Sequence, residues 1–142
     1  MPCKEHSLQS KTVLRQKGLK ATPARLAVLD VFEHAKKPLS IREVAKALKA
    51  DNPDLATLYR NVESLVSLGL LKEIFFTSNM AHYESAKLAH HHHIVCKVCG
   101  RIESIQMCLA AKPQRQIIQA AHFGKIESHS LEFFGICKKC EN

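Results

Sequence analysis

The chain has 142 residues, enough for one ordinary domain or two small lobes, and 46% of them are apolar, which excludes wholesale disorder. Lys and Arg number 21 against 13 acidic residues, a formal charge of +8, which favours a polyanionic partner such as nucleic acid. No apolar run approaches the roughly 18 residues that cross a bilayer. The opening MPCKEHSLQSK also lacks an apolar signal core, so no membrane partner and a cytoplasmic location are expected.

The first half reads as helical. A short helix is predicted over residues 7–17, stopping at Gly18. Thr22-Pro23 predicts the next start, because Thr caps and Pro occupies a first-turn position whose N–H is not needed. Leu26, Val28, Leu29 and Phe32 then give an apolar face through about Ala35. SIRE, residues 40–43, is a capping box, and Ile41, Val44, Ala45 and Leu48 form the buried stripe behind it. Asn52-Pro53 breaks the chain. Asp54 caps a further helix with Leu55, Leu58, Val62 and Leu65 inward and Gly69 at its end.

After Gly69 the pattern changes. LLKEIFF (residues 70–76) has strand composition, TSNM turns, and AHYES (residues 81–85) returns. The last three of these helices followed by a hairpin make the winged-helix arrangement, in which the third of the trio, the one capped by Asp54, reads a DNA groove. Its outward positions are Ala56, Thr57, Tyr59, Arg60, Asn61, Glu63 and Ser64, and Tyr59 and Arg60 have the reach for phosphates or base edges. The plain alternative is a helical trio with a solvated basic surface and Tyr59 over a core edge.

AKLAH (residues 86–90) reads as a linker. Beyond it HHIVC and GRIESIQ read as strands. PQRQIIQAAHFG reads as a helix begun by Pro113 and followed by Gly124, and KIESHSLEFFGIC as a last strand. The expected class is α+β: a winged-helix DNA-binding lobe over residues 1–85 and a small α/β lobe over residues 86–142. So small a lobe is marginal alone and calls for a metal, disulfides or a partner subunit.

Cys96-x-x-Cys99 and Cys137-x-x-Cys140 supply the strongest chemical signal. Reduced cysteines in paired spacing suggest tetrahedral zinc, which would clip both ends of the lobe together; a redox dithiol is the alternative. Cys3 and Cys108 stand outside both pairs and read as ordinary thiols. AHHHHIVCKVCG places four histidines just ahead of the first pair, far from either terminus, which argues against a tag scar. Strand alternation would turn His91 and His93 to one side and His90 and His92 to the other. Glu84 is a candidate oxygen ligand for the first side and His129 a candidate for the second, in sites suited to Zn, Fe, Mn, Co or Ni. A solvated histidine cluster is the alternative.

The stretches GLKATPAR, DLATLYRNVESLVSLGLL, HHHHIVCKVCGRIESI and HSLEFFGICKKC together resemble the ferric uptake regulator (Fur) family, from about Leu14 to Cys140. The resemblance implies a homodimeric, metal-dependent transcriptional regulator, usually a repressor, of metal-homeostasis or oxidative-stress genes. It would pair a winged helix with a dimerisation lobe and bind a double-stranded DNA operator. It implies structural zinc on Cys96, Cys99, Cys137 and Cys140. Glu84, His91 and His93 fall on a regulatory site at the hinge for Fe, Zn, Mn or Ni. His90 and His129 fall on a second site, with His92 beside them. Lys20, Tyr59 and Arg60 fall on DNA-contacting positions, and Arg25 and Thr57 are counted with them.

The sequence also departs from the family pattern. Lys37 and Pro38 stand where the family often has a regulatory histidine, which leaves His34, one turn earlier, as the candidate substitute. In the second site His92 takes an acidic slot, and Cys108 and Glu103 are candidates for a further ligand. Two other functions compete with this reading. A histidine-site metalloenzyme would need an open metal position and a placed base, and no H-E-x-x-H appears. A metal-storage module would leave the helices, the hairpin and the basic balance without a purpose.

Overall fold

The computed structural model describes residues 4–49, 53–76, 80–108 and 111–141. Cys3, Asn52 and most of the TSNM turn, residues 77–79, lie outside these. The chain divides into two compact units, Met1–Leu88 and Ala89–Asn142, a division placed after Leu88 where the sequence had suggested Ser85. No helix among the described residues is long and apolar enough to cross a membrane.

The first unit holds α1 (Lys4–Gln16), α2 (Pro23–His34), α3 (Ile41–Leu48) and α4 (Leu55–Ser67). Its strands are β1 (Leu39–Ser40), β2 (Leu71–Phe75) and β3 (Ala81–Ser85). The caps explain where the helices begin. Thr22 Oγ1 accepts from the Arg25 amide at 3.3 Å. Ser40 and Glu43 close a full capping box, and Asp54 Oδ1 accepts from the Thr57 amide at 3.0 Å. Gly69, just past α4, has φ +70°, a left-handed conformation that suits glycine.

The sheet runs β1-β3-β2, all antiparallel, with Leu39 opposite Tyr83 and Ile74 opposite His82. This is the winged-helix order, with β2 and β3 as the wing and β1 as a two-residue addition. Leu14, Val28, Phe32, Val44, Leu58, Val62 and Leu65 form the buried core, each contributing roughly 1.5–3 kcal/mol. Two expectations for α4 are corrected. Leu55 is 53% exposed, because it opens the helix a turn ahead of the buried face. Asn61 is 7% exposed, because it lies three residues after Leu58 and four before Leu65, on the inward side.

The second unit holds β4 (His92–Cys96), β5 (Ile102–Ile105), α5 (Ala111–Ala121) and β6 (Glu132–Gly135). The sheet runs β5-β4-β6, with β4 antiparallel to β5 and parallel to β6. The long last strand expected over residues 125–137 shrinks to β6, since residues 125–131 have no ladder partner. The helix starts at Ala111, so Pro113 lies inside its first turn rather than opening it. Apolar burial is thin here. Among the described residues of this unit only Cys96 and Ile102 count as buried hydrophobics, while Ile94, Val98, Phe134 and Ile136 face outward.

Candidate metal centres

The sulfurs of Cys96, Cys99, Cys137 and Cys140 all lie within 4.8 Å of one another. Two short turns deliver them. Gly100 N–H donates to the Cys96 carbonyl at 2.9 Å with Gly100 at φ +73°, and Cys140 N–H donates to the Cys137 carbonyl at 2.8 Å. Parallel pairing of β4 and β6, with Cys96 opposite Gly135, carries the second turn to the first. Cys99 Sγ and Cys137 Sγ are 3.8 Å apart, far beyond a disulfide bond. A tetrahedral ion with bonds of about 2.3 Å to sulfur sets an edge of about 3.8 Å, so the cluster fits zinc.

The electrostatics of Cys96 and Cys140 agree. The backbone N–H of Cys99, then that of Cys137, holds the Cys96 thiol down to about 6 against the opposing effect of burial. Hydrogen bonding with the Cys137 and then the Cys99 sulfurs pushes Cys140 up to about 12. Cys96 is readily a thiolate while Cys140 resists ionising beside it, a resistance that a divalent cation would offset.

The histidine run alternates as a strand should, although β4 begins only at His92. His91 Nε2 is 3.1 Å from His93 Nε2, and His90 Nε2 is 3.2 Å from His92 Nε2. His91 Nδ1 donates to the Ala89 carbonyl at 2.7 Å, which fixes its tautomer with the lone pair on Nε2. His90, His92 and His129 converge with Cys108, their ligand atoms all within 4.8 Å. Cys108 thus joins a cluster, where an isolated thiol was the simpler expectation. Glu103 does not; it pairs with Arg101 at 2.7 Å. His34 stands exposed at the end of α2, its Nδ1 2.8 Å from the Asp30 carbonyl. Glu84 is buried in β3 of the first unit.

Of the expected DNA-facing residues, Tyr59 is 48% exposed and Arg60 and Lys20 are exposed. Arg25 is half-buried and donates to the Lys20 carbonyl at 3.0 Å, bracing the turn before α2. Thr57 spends its hydroxyl on Asp54 Oδ2 at 2.7 Å, so it shapes the start of α4.

The sequence profile of the ferric uptake regulator family matches residues 16–134. The chain belongs to that family. The ferric uptake regulation protein of Legionella pneumophila is 35% identical over 131 residues, which cover 90% of this chain and 96% of the relative. The ferric uptake regulator of Helicobacter pylori superposes with a TM-score of 0.81 at 23% identity, covering 98% of this chain and 93% of that one, and shows the same fold. That of Francisella tularensis, solved with iron, superposes with a TM-score of 0.77 at 30% identity over 88% of this chain and 96% of its own. Membership makes this Fur-family chain a metal-responsive transcriptional regulator and not an enzyme.

Proposed function

We propose that the protein is a cytoplasmic homodimer that binds a double-stranded operator through α4 and represses when a divalent metal is present. The carrying observation is the presence, on one chain, of an exposed α4 surface at Tyr59 and Arg60 and an imidazole pair, His91 and His93, at ligand spacing. In a winged helix such a surface enters the major groove, and a two-fold dimer presents two of them to half-sites. The net charge of +8 supports the same partner. Exposed Ile94, Phe134 and Ile136 on the second unit supply apolar surface for self-association.

The four cysteines are assigned to structural zinc. His91 and His93 are assigned to the regulatory ion, one of Fe, Zn, Mn or Ni. Glu84 joins them on the strength of the family resemblance, and His34 is retained as a candidate fourth ligand. His90, His92 and His129 are assigned to a second site. A bound cation favours the arrangement in which its ligands converge, so it raises operator affinity by as much as it prefers the DNA-competent form. Lys20, Arg25, Tyr59 and Arg60 serve the DNA surface, with Thr57 supporting it.

The test is a gel shift on a duplex selected from random sequence, with each metal added after mild chelation that spares the cysteine zinc. Metal-dependent retardation is expected. Binding that is indifferent to every metal would overturn the gating, and no binding to any duplex would overturn the DNA reading.

A further inference from the structure

His90, His92 and His129 meet Cys108, which lies between β5 and α5. Cys108 Sγ is 3.5 Å from His129 Nε2, and His90 Nε2 is 3.2 Å from His92 Nε2. A tetrahedral ion bonded at about 2.0–2.1 Å to nitrogen and about 2.3 Å to sulfur sets edges of about 3.3 Å between nitrogens and about 3.6 Å from nitrogen to sulfur. Both separations lie close to these edges. His129 is held from behind, with Gln114 Nε2 of α5 3.0 Å from its Nδ1. A half-turn of that amide exchanges its nitrogen for its oxygen with no change in shape; Nδ1 then donates to the oxygen and Nε2 points its lone pair at the cluster, the tautomer that metal binding selects.

We infer that Cys108 is a metal ligand and that these four side chains form a three-imidazole, one-thiolate site for a zinc-class ion. The inference rests on the assignment of His90, His92 and His129 to a metal. The donor set decides the class. The four residues offer no carboxylate or carbonyl, the ligands that suit manganese, and a thiolate beside imidazoles suits zinc, which stands above manganese and iron(II) in the affinity order. Four protein donors also leave no open position, so the site is closed in the manner of structural zinc rather than catalytic zinc. Gln114 is a positioning residue, acting through the orientation of His129.

The experiment uses the full chain with zinc kept on Cys96, Cys99, Cys137 and Cys140, and cobalt(II) as the probe. Cobalt accepts tetrahedral sites, and a cobalt–thiolate bond gives a near-ultraviolet charge-transfer band that nitrogen and oxygen ligands do not. Cobalt should raise this band, zinc should abolish it, and equimolar manganese should leave it. Cys108→Ser should lose the band while the cysteine zinc stays. Gln114→Leu should keep the band and weaken cobalt affinity about 10–100-fold, the size of outer-shell effects. Cobalt uptake that His129→Ala removes, with no band dependent on Cys108, would overturn the thiolate ligand and leave the histidine site standing. Uptake insensitive to both His90→Ala and His129→Ala would remove the histidine site and the inference together.

Discussion

Cys99 and Cys137 bring their sulfurs to 3.8 Å across a sequence separation of 38, and they do so at the two ends of the second unit. Because that unit buries so little apolar surface, the cross-link is expected to hold it together. Structural zinc sites contribute apparent binding energies of about 10–16 kcal/mol in small peptides, more than a lobe this size gains from its core. Cys137→Ser should therefore release zinc and unfold residues 89–141, while the first unit, with its own core, should remain folded. Metal analysis beside hydrogen exchange checks both halves. Retention of full zinc and of exchange protection in β4 would count against the assignment.

Arg60 and Thr57 are neighbours on α4 but are predicted to fail differently. Arg60 is exposed, so Arg60→Ala should weaken operator binding, lower the slope of log affinity against log salt by about 0.9 and leave stability unchanged. Thr57 donates its hydroxyl to Asp54, the cap of α4. Thr57→Val should cost about 1 kcal/mol of stability and weaken DNA binding only through a loosened helix start. Tyr59→Phe, tested on the same operator, separates a hydroxyl contact from ring packing. Equal behaviour of the Arg60 and Thr57 variants in both assays would remove the distinction.

Much of this was legible in the sequence because the signals were local. Caps at Thr22, Ser40 and Asp54 marked three helix starts, and the hairpin of β2 and β3 followed from strand composition after Gly69. What was not legible depended on tertiary contact. β1 is only two residues long and overlaps the capping box at Ser40, so nothing in its composition announces that it pairs with β3. Asn61 read as solvent-facing by polarity, yet helix geometry turns it toward the core. Cys108 lacks a C-x-x-C partner, and its approach to His129, 21 residues on, comes from how the chain folds back after β5. The histidine alternation, by contrast, needed only the two-residue period of a strand.

Glu43 gives the first unit a predictable acid response. Burial raises its pKa, but hydrogen bonds from Lys37, the Ser40 amide and the Ser40 hydroxyl, together with the Lys37 charge, outweigh it and hold the carboxyl below 4.5. A depressed carboxylate stabilises the fold fully above its ordinary value, and that contribution is lost as pH falls through the lower folded value. Thermal melts from neutral pH to about pH 3 should show this loss, and Glu43→Gln, which can still close the box, should flatten it. Ser40→Ala should cost about 0.5–2 kcal/mol at neutral pH. A Glu43→Gln protein with an unchanged acid profile would place the titrating group elsewhere.

His91 and His90 are adjacent in sequence but belong to different imidazole pairs, and this sets the sharpest test of the regulatory site. His91 is already ordered for ligation by its Nδ1–H bond to the Ala89 carbonyl, and its Nε2 meets that of His93. His90 instead meets His92 and stacks edge-on to His129, with ring centroids 4.6 Å apart. Removing a direct ligand should exceed the roughly 10–100-fold loss in metal affinity typical of outer-shell changes. His91→Ala or His93→Ala should therefore abolish metal-dependent operator binding with the cysteine zinc retained. His90→Ala should leave much of that response and act on the second site, lowering dimer stability or its metal occupancy. Calorimetry and gel shift on the four single variants give the comparison. If all four lose the response equally, or none does, the run is a solvated cluster and the two-sided division of labour along residues 90–93 is wrong.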